Sequence, residues 1–199
     1  AALQLMLDDK KVSWVEGPGE AAFYGPKIDF MAKDAIGRTH QVATIQLDFN
    51  QPKSFGLTCV NEAGEREQIV MIHCAIMGSI ERFMSVLIEH FAGVFPLWLA
   101  PTQVLVLPVA DRHNDFAFEL CKELKEVGIR AEVDDSTESV GKKIRNAEKM
   151  KMPRMLGVGD KEMEGGPLTV RVRGEEEQKA QTKKEFIEEV LKMVKNRAA

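Results

Sequence analysis

Two prolines near the middle of the chain limit its fold more than any other feature. Pro96 and Pro101 bracket the apolar residues Leu97-Trp98-Leu99-Ala100. Because proline lacks a backbone N–H and fixes φ, no helix or strand can run straight through this segment. Roughly 100 residues lie on each side, enough for each half to build a core of its own. We therefore predict two domains, residues 1–98 and residues 99–199.

The composition is typical of a globular protein. Hydrophobic residues make up 44% of the chain and charged residues 29%, which excludes disordered and low-complexity classes. No apolar run approaches the roughly 18 residues needed to span a bilayer, and the first residues do not resemble a signal peptide. The three cysteines, Cys59, Cys74 and Cys121, are widely spaced in apolar sequence, and their odd number favours buried, reduced thiols over a disulfide framework. We expect a cytoplasmic protein without membrane attachment. The chain starts without Met and reads at once as the middle of a domain, so we expect a fragment of a longer protein.

The first half reads as antiparallel strands followed by a helix. β-Branched and aromatic residues between Gly, Pro and Asn predict strands at residues 22–30, 38–48 and 56–60, with a turn at residues 61–64. Within residues 71–91, apolar residues recur at helical intervals. This periodicity predicts a long amphipathic helix preceded by a short strand.

Strands and helices alternate in the second half. The pattern predicts strands at residues 103–109, 129–133, 154–159 and 168–173, and helices at residues 115–127 and 140–150. A last helix follows a capping box formed by Thr182 and Glu185, whose side chains can satisfy two free backbone donors. The alternation predicts a small α/β domain with a mixed or mostly parallel sheet covered by helices.

Long motifs in both halves resemble those of threonyl-tRNA synthetases. In the first half they are FYGPKIDF at 23–30, GRTHQ at 37–41, TIQLDF at 44–49, VMIH at 70–73 and GSIERF at 78–83. The junction carries FPLWLAP at 95–101, and the second half has GIR at 128–130, KIR at 143–145, GDKE at 159–162 and VRVR at 170–173. Several long motifs in the same order make a chance likeness very improbable.

The resemblance implies both a fold and an activity. The expected fold is the end of the α+β antiparallel catalytic sheet of a class II synthetase, including motif 3, followed by an α/β anticodon-binding domain with a mixed sheet. The expected activity is that of a threonine–tRNA ligase, which uses ATP and Mg²⁺ to join threonine to tRNA(Thr) and is a homodimer at full length. Motifs 1 and 2 of the class have no counterpart in the sequence, so we expect these 199 residues alone not to activate threonine.

Five side chains of the first half are candidates for the threonine and ATP pocket. The resemblance assigns catalytic and substrate-binding roles to Arg82 and Lys27, and substrate contacts to Tyr24, Gln41 and Gln46. A guanidinium suits the adenine ring and phosphates, a phenol can hydrogen-bond a small substrate, and an ammonium can meet a carboxylate or phosphate. Without the resemblance, the arginine would be read as paired with its neighbouring glutamate on a solvated helix, and the glutamines as surface residues.

His73 is the candidate metal ligand. The resemblance implies that it is one of three protein ligands of a zinc ion that recognises the amino and hydroxyl groups of threonine. An open Zn²⁺ site admits a hydroxyl that valine lacks. The other two ligands are expected upstream of residue 1, so zinc is implied for the full-length enzyme rather than for this chain. In isolation, a histidine beside apolar residues is more often a core residue. Cys74 follows it where the family normally has arginine.

A basic side of the predicted helix at 140–150 is a candidate RNA surface. Lys142, Arg145 and Lys149 recur at helical spacing, with Arg171 and Arg173 on a nearby predicted strand. Such a face suits RNA phosphates, although a lysine-rich helix is usually a solvated surface. The net charge of −4 argues against a generic nucleic-acid coat but does not exclude a local basic face.

The resemblance also assigns anticodon contacts. They fall on Thr137, Arg145, Glu162 and Arg171, which would hydrogen-bond the edges of unstacked bases. Thr137 stands where the family usually has asparagine, and one hydroxyl replaces an amide's paired donor and acceptor.

Arg154 and Gly157 also depart from the family. They replace an aromatic and a β-branched residue in a predicted strand, where each is expected to disturb the packing.

Two other functions compete with this interpretation. The chain could serve as a non-catalytic module that binds the tRNA anticodon through residues 100–199. It could also belong to a class II synthetase of different amino-acid specificity. Exchange of pyrophosphate into ATP with threonine, serine or valine distinguishes these functions.

Overall fold

The computed structural model of the protein describes residues 2–198. The chain forms two compact units, the first ending at His90 and the second beginning at Phe91. The domain boundary between residues 98 and 99 stays a prediction. Within the described residues, every helix is too short or too polar to cross a membrane.

The first unit contains two separate antiparallel sheets. Its elements are α1 (Ala2–Asp9), β1 (Lys27–Lys33), β2 (Thr39–Asp48), α2 (Asn50–Ser54), β3 (Thr58–Val60), β4 (Arg66–Gln68), β5 (Met71–Ile76) and α3 (Ile80–Phe91). One sheet has the strand order β1-β2-β5, and the other is the β3–β4 hairpin. The expected antiparallel class II sheet is confirmed.

One predicted strand is shorter than expected: the strand predicted from residue 22 begins at Lys27, after the Gly25-Pro26 turn. The range 71–91 contains the expected short strand, β5, followed by the expected helix, α3. The two elements are separated at Met77 and Gly78, which both have left-handed backbone conformations, with φ of 67° and 56°. The turn predicted at residues 61–64 is present, closed by the N–H of Gly64 and the carbonyl of Asn61 at 2.9 Å.

The second unit is built around one mixed sheet. Its elements are β6 (Val104–Pro108), a 3₁₀ turn (Asp111–His113), α4 (Asn114–Glu126), β7 (Ala131–Val133), α5 (Val140–Lys149), β8 (Arg154–Val158), α6 (Asp160–Met163), β9 (Leu168–Val172), β10 (Lys179–Gln181) and α7 (Lys183–Lys195). The strand order is β10-β9-β8-β6-β7. β7, β6 and β8 are parallel, whereas β9 and β10 pair antiparallel. The predicted mixed sheet is confirmed, but α6 and β10 were not predicted.

Helices cover both faces of this sheet. One face packs against α4 and α7, and its core includes Val104, Leu156, Leu124 and Phe186. The other face packs against α5 through a smaller cluster, whose members are Leu105, Leu107, Ala147, Met152 and Met155. Since successive strand residues alternate in direction, Thr169 and Arg171 of β9 lie on the α5 face, opposite Gly157 and Met155 of β8.

The two departures in β8 are accommodated in different ways. Arg154 is buried, and its Nη1 donates to the carbonyl of Pro153 at 3.1 Å. Its Nη2 lies 3.6 Å from a carboxylate oxygen of Glu189, while its Nε has no hydrogen-bond partner among residues 2–198. Gly157 leaves room for a side chain, since a Cβ there would lie 3.9 Å from the Cβ of Thr169.

Candidate functional site

A row of polar side chains crosses the three-stranded sheet. In the strand register, Lys27 lies opposite Gln46, and Gln46 lies opposite His73. Because residues two apart in a strand share a face, Asp29 and Asp48 lie on this face as well. We call this surface, defined by Lys27, Asp29, Gln46, Asp48 and His73, the polar face.

Tyr24 reaches the polar face from a tight turn before β1. A Cβ at Gly25 would lie 2.2 Å from the carbonyl oxygen of Leu47, so the close approach of the two backbones requires glycine. The Tyr24 hydroxyl donates to Oε1 of Gln46 at 2.9 Å. The phenol ring lies edge-on to His73, with 5.9 Å between the ring centroids. Three predicted site residues therefore lie together.

Asp29, which belongs to a quoted motif but was not among the predicted site residues, hydrogen-bonds three other side chains of this part of the sheet. Its Oδ1 accepts hydrogen bonds from Nε2 of Gln41 and from the hydroxyl of Thr44, both at 2.7 Å. Its Oδ2 pairs with the ammonium of Lys27. Burial raises the pKa of Asp29, but the hydrogen bonds from Lys27, Thr44 and Gln41 outweigh it, and the pKa lies below its usual value. The hydrogen bond to Asp29 in turn raises the pKa of Lys27.

Gln41 reaches this face because of a bulge in β2. Regular alternation from Gln46 and Thr44 would turn Gln41 to the other face of the sheet. The register instead pairs Phe30 with Ala43 and Met31 with Gln41, so one residue of β2 is left unpaired. The bulge re-aims the following side chain. The sequence carries no signal that predicts it.

The buried carboxylate of Asp48 holds His73. Nε2 of His73 lies 2.9 Å from Oδ2 of Asp48, whose side chain is fully buried. Oδ1 of Asp48 accepts the backbone N–H groups of Asn50 and Gln51 at 2.8 and 2.9 Å. Burial raises the pKa of Asp48, but the hydrogen bonds from His73 and the two amides leave it below its usual value. An ionised Asp48 therefore fixes the orientation of the imidazole.

The residues around His73 do not complete a zinc site. Cys74 follows it on β5 and points to the opposite face of the sheet. Cys74 and Cys59 are exposed, so the expectation of buried thiols is correct for Cys121 alone of the three. Within residues 2–198, no three His, Cys, Asp or Glu side chains lie close enough together to hold a metal ion.

Arg82 lies in the first turn of α3 and is exposed. In the described part of the chain, no hydrogen bond or ion pair joins it to the polar face. The structure thus gathers five of the six candidates, Tyr24, Lys27, Gln41, Gln46 and His73.

The anticodon candidates belong to the second unit, where Glu162 is the most enclosed. It lies on α6, directly after the C-terminal end of β8, with 9% of its surface exposed. Its Oε2 accepts the N–H of Gly159 at 2.9 Å, and its Oε1 accepts the hydroxyl of Thr169 at 2.7 Å. Burial raises the pKa of Glu162, but these two hydrogen bonds leave it below its usual value.

The other anticodon candidates are more accessible. Arg145 is exposed on α5, and Thr137 is exposed in the loop before it. Arg171 is half-buried on β9 and borders a cavity of about 500 Å³, which Glu148 of α5 also lines.

Two residues of the predicted basic face have other partners. Arg173 donates to the carbonyls of Lys151 and Phe95, both at 2.7 Å, and burial lowers its pKa. Lys142 pairs with Glu138 at 2.7 Å. Arg173 is therefore committed to backbone carbonyls, whereas Lys142 remains exposed on α5.

Lys143, the first residue of the KIR motif, is buried and was not among the predicted site residues. Its ammonium donates to the carbonyl of Asp134 at 2.8 Å and to that of Pro108 at 3.2 Å. It ties the end of β6 to the start of the loop that carries Thr137.

A cluster of charged side chains that was not predicted as a site lies where β6 and β8 end. Asp160 accepts hydrogen bonds from Nε and Nη2 of Arg112 at 3.1 and 2.8 Å. Its Oδ1 also lies 2.9 Å from Nε2 of His113, whose Nδ1 accepts the N–H of Ala110 at 3.1 Å. The hydrogen bonds from Arg112 and His113 hold the pKa of Asp160 well below its usual range.

Comparison with known families matches both units. The family model of the tRNA synthetase class II core domain (G, H, P, S and T) matches residues 3–91, and that of the anticodon binding domain matches residues 103–193. The fold and the polar face, with these matches, define a class II aminoacyl-tRNA synthetase: part of a catalytic core followed by an anticodon-binding domain.

Individual relatives identify the family more closely. Threonine–tRNA ligase of Rubrobacter xylanophilus is 53% identical over 87% of this chain and 27% of the relative. That of Desulforamulus reducens is 47% identical over 98% of this chain and 31% of the relative. The crystal structure of the RNA binding domain of threonyl-tRNA synthetase from Cryptosporidium parvum matches with a TM-score of 0.86 and 37% identity, over 96% of this chain and 49% of that chain. The chain belongs to the threonyl-tRNA synthetase family, and it spans less than a third of the length of these curated relatives.

Proposed function

We propose that this chain is part of a threonine–tRNA ligase, which joins threonine to tRNA(Thr) at the expense of Mg·ATP. The observation that carries the proposal is the convergence of Tyr24, Lys27, Gln41, Gln46 and His73 on one face of the class II sheet. The names of the relatives support the same activity. We also propose that the full-length enzyme is cytoplasmic and forms a homodimer, and sedimentation of the full-length protein would test the oligomeric state.

The proposed reaction has two steps. The threonine carboxylate attacks the α-phosphorus of ATP, which forms threonyl-adenylate and releases pyrophosphate. The terminal ribose hydroxyl of tRNA(Thr) then attacks the acyl carbon, and AMP leaves. Catalysis of this kind depends on positioning and on stabilising charge rather than on a protein nucleophile.

The polar face provides groups suited to these tasks. The amide of Gln46 and the phenol of Tyr24 offer neutral hydrogen bonds to a small substrate, and Gln41 offers a third such group. Lys27 carries a positive charge, held by Asp29, that can meet a carboxylate or a phosphate. We propose that Arg82, at the start of α3, binds ATP from a neighbouring position.

His73 is the one residue of this chain that we propose as a zinc ligand. We propose that His73 contributes one ligand in the full-length enzyme. Because the described residues do not complete the site, we expect this chain to retain no zinc after dialysis, as measured by atomic absorption.

Pyrophosphate exchange in the full-length enzyme tests the catalytic proposal. We expect Lys27→Met to reduce threonine-dependent exchange about 10-fold or more, since an oriented charge is lost from the pocket. Lys53→Met, at an exposed position on α2, serves as the matched control. Exchange by Lys27→Met at the wild-type rate would contradict the assignment.

RNA binding by the 199-residue chain tests the anticodon proposal. We propose that Thr137, Arg145, Glu162 and Arg171 contact the tRNA anticodon. Arg145→Ala and Arg171→Ala should each weaken binding of a tRNA(Thr) transcript, measured by fluorescence anisotropy. Lys122→Ala, on α4 at the opposite face of the sheet, should not. Equal effects at all three positions would indicate nonspecific charge attraction instead.

A non-catalytic RNA-binding role is the second candidate. It is favoured by the crystal structure that this chain matches over 96% of its length, which is described as an RNA binding domain. If the chain alone binds the transcript and shows no exchange, this role describes what the 199 residues do by themselves.

A further inference from the structure

We propose that Thr169 is a positioning residue of the RNA-reading surface, whose hydroxyl orients the carboxylate of Glu162 towards an anticodon base. This inference rests on the proposed RNA-binding function, and it adds a residue to which neither the family motifs nor the comparisons assign a role.

The first observation is that two contacts of different origin hold the Glu162 carboxylate. The bond from the N–H of Gly159 to Oε2 is local, because it belongs to the capping box at the start of α6. The bond from Thr169 to Oε1, at 2.7 Å, is tertiary, because Thr169 lies on β9. Removing the local bond would alter α6 itself, whereas removing the tertiary bond leaves the cap of α6 intact and releases Oε1 of the carboxylate.

The second observation is that Glu162 has no close cation. Among the described residues, no Lys, Arg or His nitrogen lies within ion-pair distance of its carboxylate, and Lys161 acts on it as a distant charge. A buried carboxylate without an ion pair depends on its hydrogen bonds to remain charged. The Thr169 hydroxyl is the largest of the influences that lower the pKa of Glu162. An ionised carboxylate is purely an acceptor, which suits the N–H groups on the edge of a base.

The third observation is the location of the pair. Glu162 follows the C-terminal end of β8, the edge at which open α/β sheets bind their ligands. Thr169 and Arg171 share the α5 face of β9, so the hydroxyl that holds Glu162 lies beside an arginine proposed to contact RNA. Opposite Thr169, Gly157 adds no side chain. At this position of the register, β8 therefore presents no side chain beside the Thr169 hydroxyl.

The experiment uses the 199-residue chain and two transcripts, one of tRNA(Thr) and one with its three anticodon bases changed. Binding of both is measured by fluorescence anisotropy for the wild type and for Thr169→Val, Thr169→Ser and Glu162→Gln. Valine keeps the shape and the β-branching but lacks the hydroxyl, whereas serine keeps the hydroxyl. Thermal unfolding of each variant is measured in parallel, and Thr169→Ala replaces the valine variant if that variant does not fold.

We expect Thr169→Val to bind the tRNA(Thr) transcript about 2- to 10-fold more weakly, the range for the loss of one hydrogen bond. Its binding to the changed transcript and the slope of affinity against salt should stay at the wild-type values, because phosphate contacts are unaffected. Thr169→Ser should restore discrimination. As the pH is lowered, Thr169→Val should also lose binding at a higher pH than the wild type, because loss of the Thr169 hydrogen bond raises the pKa of Glu162.

Three other results would contradict the positioning role of Thr169 or the proposed RNA binding. If Glu162→Gln loses discrimination and Thr169→Val does not, Thr169 has no positioning role although the RNA-binding proposal stands. If Thr169→Val weakens both transcripts equally, the hydroxyl is merely structural. If the wild-type chain does not discriminate between the transcripts, both the proposed function and this inference fail.

Discussion

Replacing Gln103 by leucine should destabilise the second unit without touching either proposed site. Gln103 is fully buried at the start of the sheet. Its Nε2 donates to the carbonyl of Leu97 at 3.0 Å, and its Oε1 accepts the N–H of Arg130 at 2.9 Å. Leucine fills similar volume but satisfies neither group. The buried carbonyl of Leu97 then costs about 1–3 kcal/mol, and the N–H of Arg130, which lies nearer the surface, costs about 1 kcal/mol. The sum is about 2–4 kcal/mol.

Tryptophan fluorescence can follow this unit separately. The chain has two tryptophans, so a Trp14→Phe background leaves Trp98, in the segment that Gln103 holds, as the reporter. Urea unfolding of Gln103→Leu is compared with that of Gln178→Leu, a change at an exposed position that should stay within about 0.5 kcal/mol. A loss of less than 0.5 kcal/mol in Gln103→Leu would refute the claim that these two hydrogen bonds hold the segment.

Three further changes probe stability elsewhere in the second unit. Gly157→Ala should raise the free energy of unfolding in urea by about 0.5–1 kcal/mol, because the new Cβ makes an ordinary contact with Thr169 and the unfolded chain loses freedom. Thr182→Ala should lower it by about 0.5–2 kcal/mol, since the α7 capping box with Glu185 is lost. Asp160 has a lowered pKa, so its stabilising effect is complete above the unfolded-state value of 3.8 and is lost as the pH falls below it. Asp160→Asn should therefore show a smaller fall in melting temperature between pH 5 and about pH 2 than the wild type.

A specific result would contradict each of these three predictions. A destabilised Gly157→Ala would mean that β8 cannot accept even a methyl group. Thr182→Ser should retain wild-type stability, and a loss equal to that of the alanine variant would exclude the cap as the cause. If the acid sensitivity of Asp160→Asn equals that of the wild type, the contacts of Asp160 are too exposed to matter.

Local patterns predicted most of the secondary structure. The helical periodicity of residues 115–127 and 140–150 corresponds to α4 and α5, and the apolar runs that begin at 103 and 154 correspond to β6 and β8. The short elements α6 and β10 escaped prediction because four and three residues are too few to show a period. The resemblance supplied the order of the two folds, which no local pattern contains.

The sequence anticipated part of the arrangement of the site candidates. Motifs named Tyr24, Lys27, Gln41, Gln46, His73 and Arg82, and regular strand pairing is enough to bring Lys27, Gln46 and His73 into one row. Asp29, Thr44 and Asp48 were missed, although each lies two residues from a predicted site residue or in its motif. A search for polar residues at that spacing would have found Asp29 beside Lys27 and Asp48 beside Gln46.

The sequence by itself determined most of the helices and strands, because periodicity, turn chemistry and capping are local and act through neighbours a few residues apart. The motifs that carry the resemblance, which also lie in the sequence, determined the two folds, their order along the chain and the candidate site residues. The tertiary structure alone decided that a bulge in β2 turns Gln41 towards Asp29, that Thr169 meets Glu162, and that Arg173 is committed to two carbonyls. These outcomes depend on register and on packing between distant segments, and neither is encoded in any single stretch of the chain.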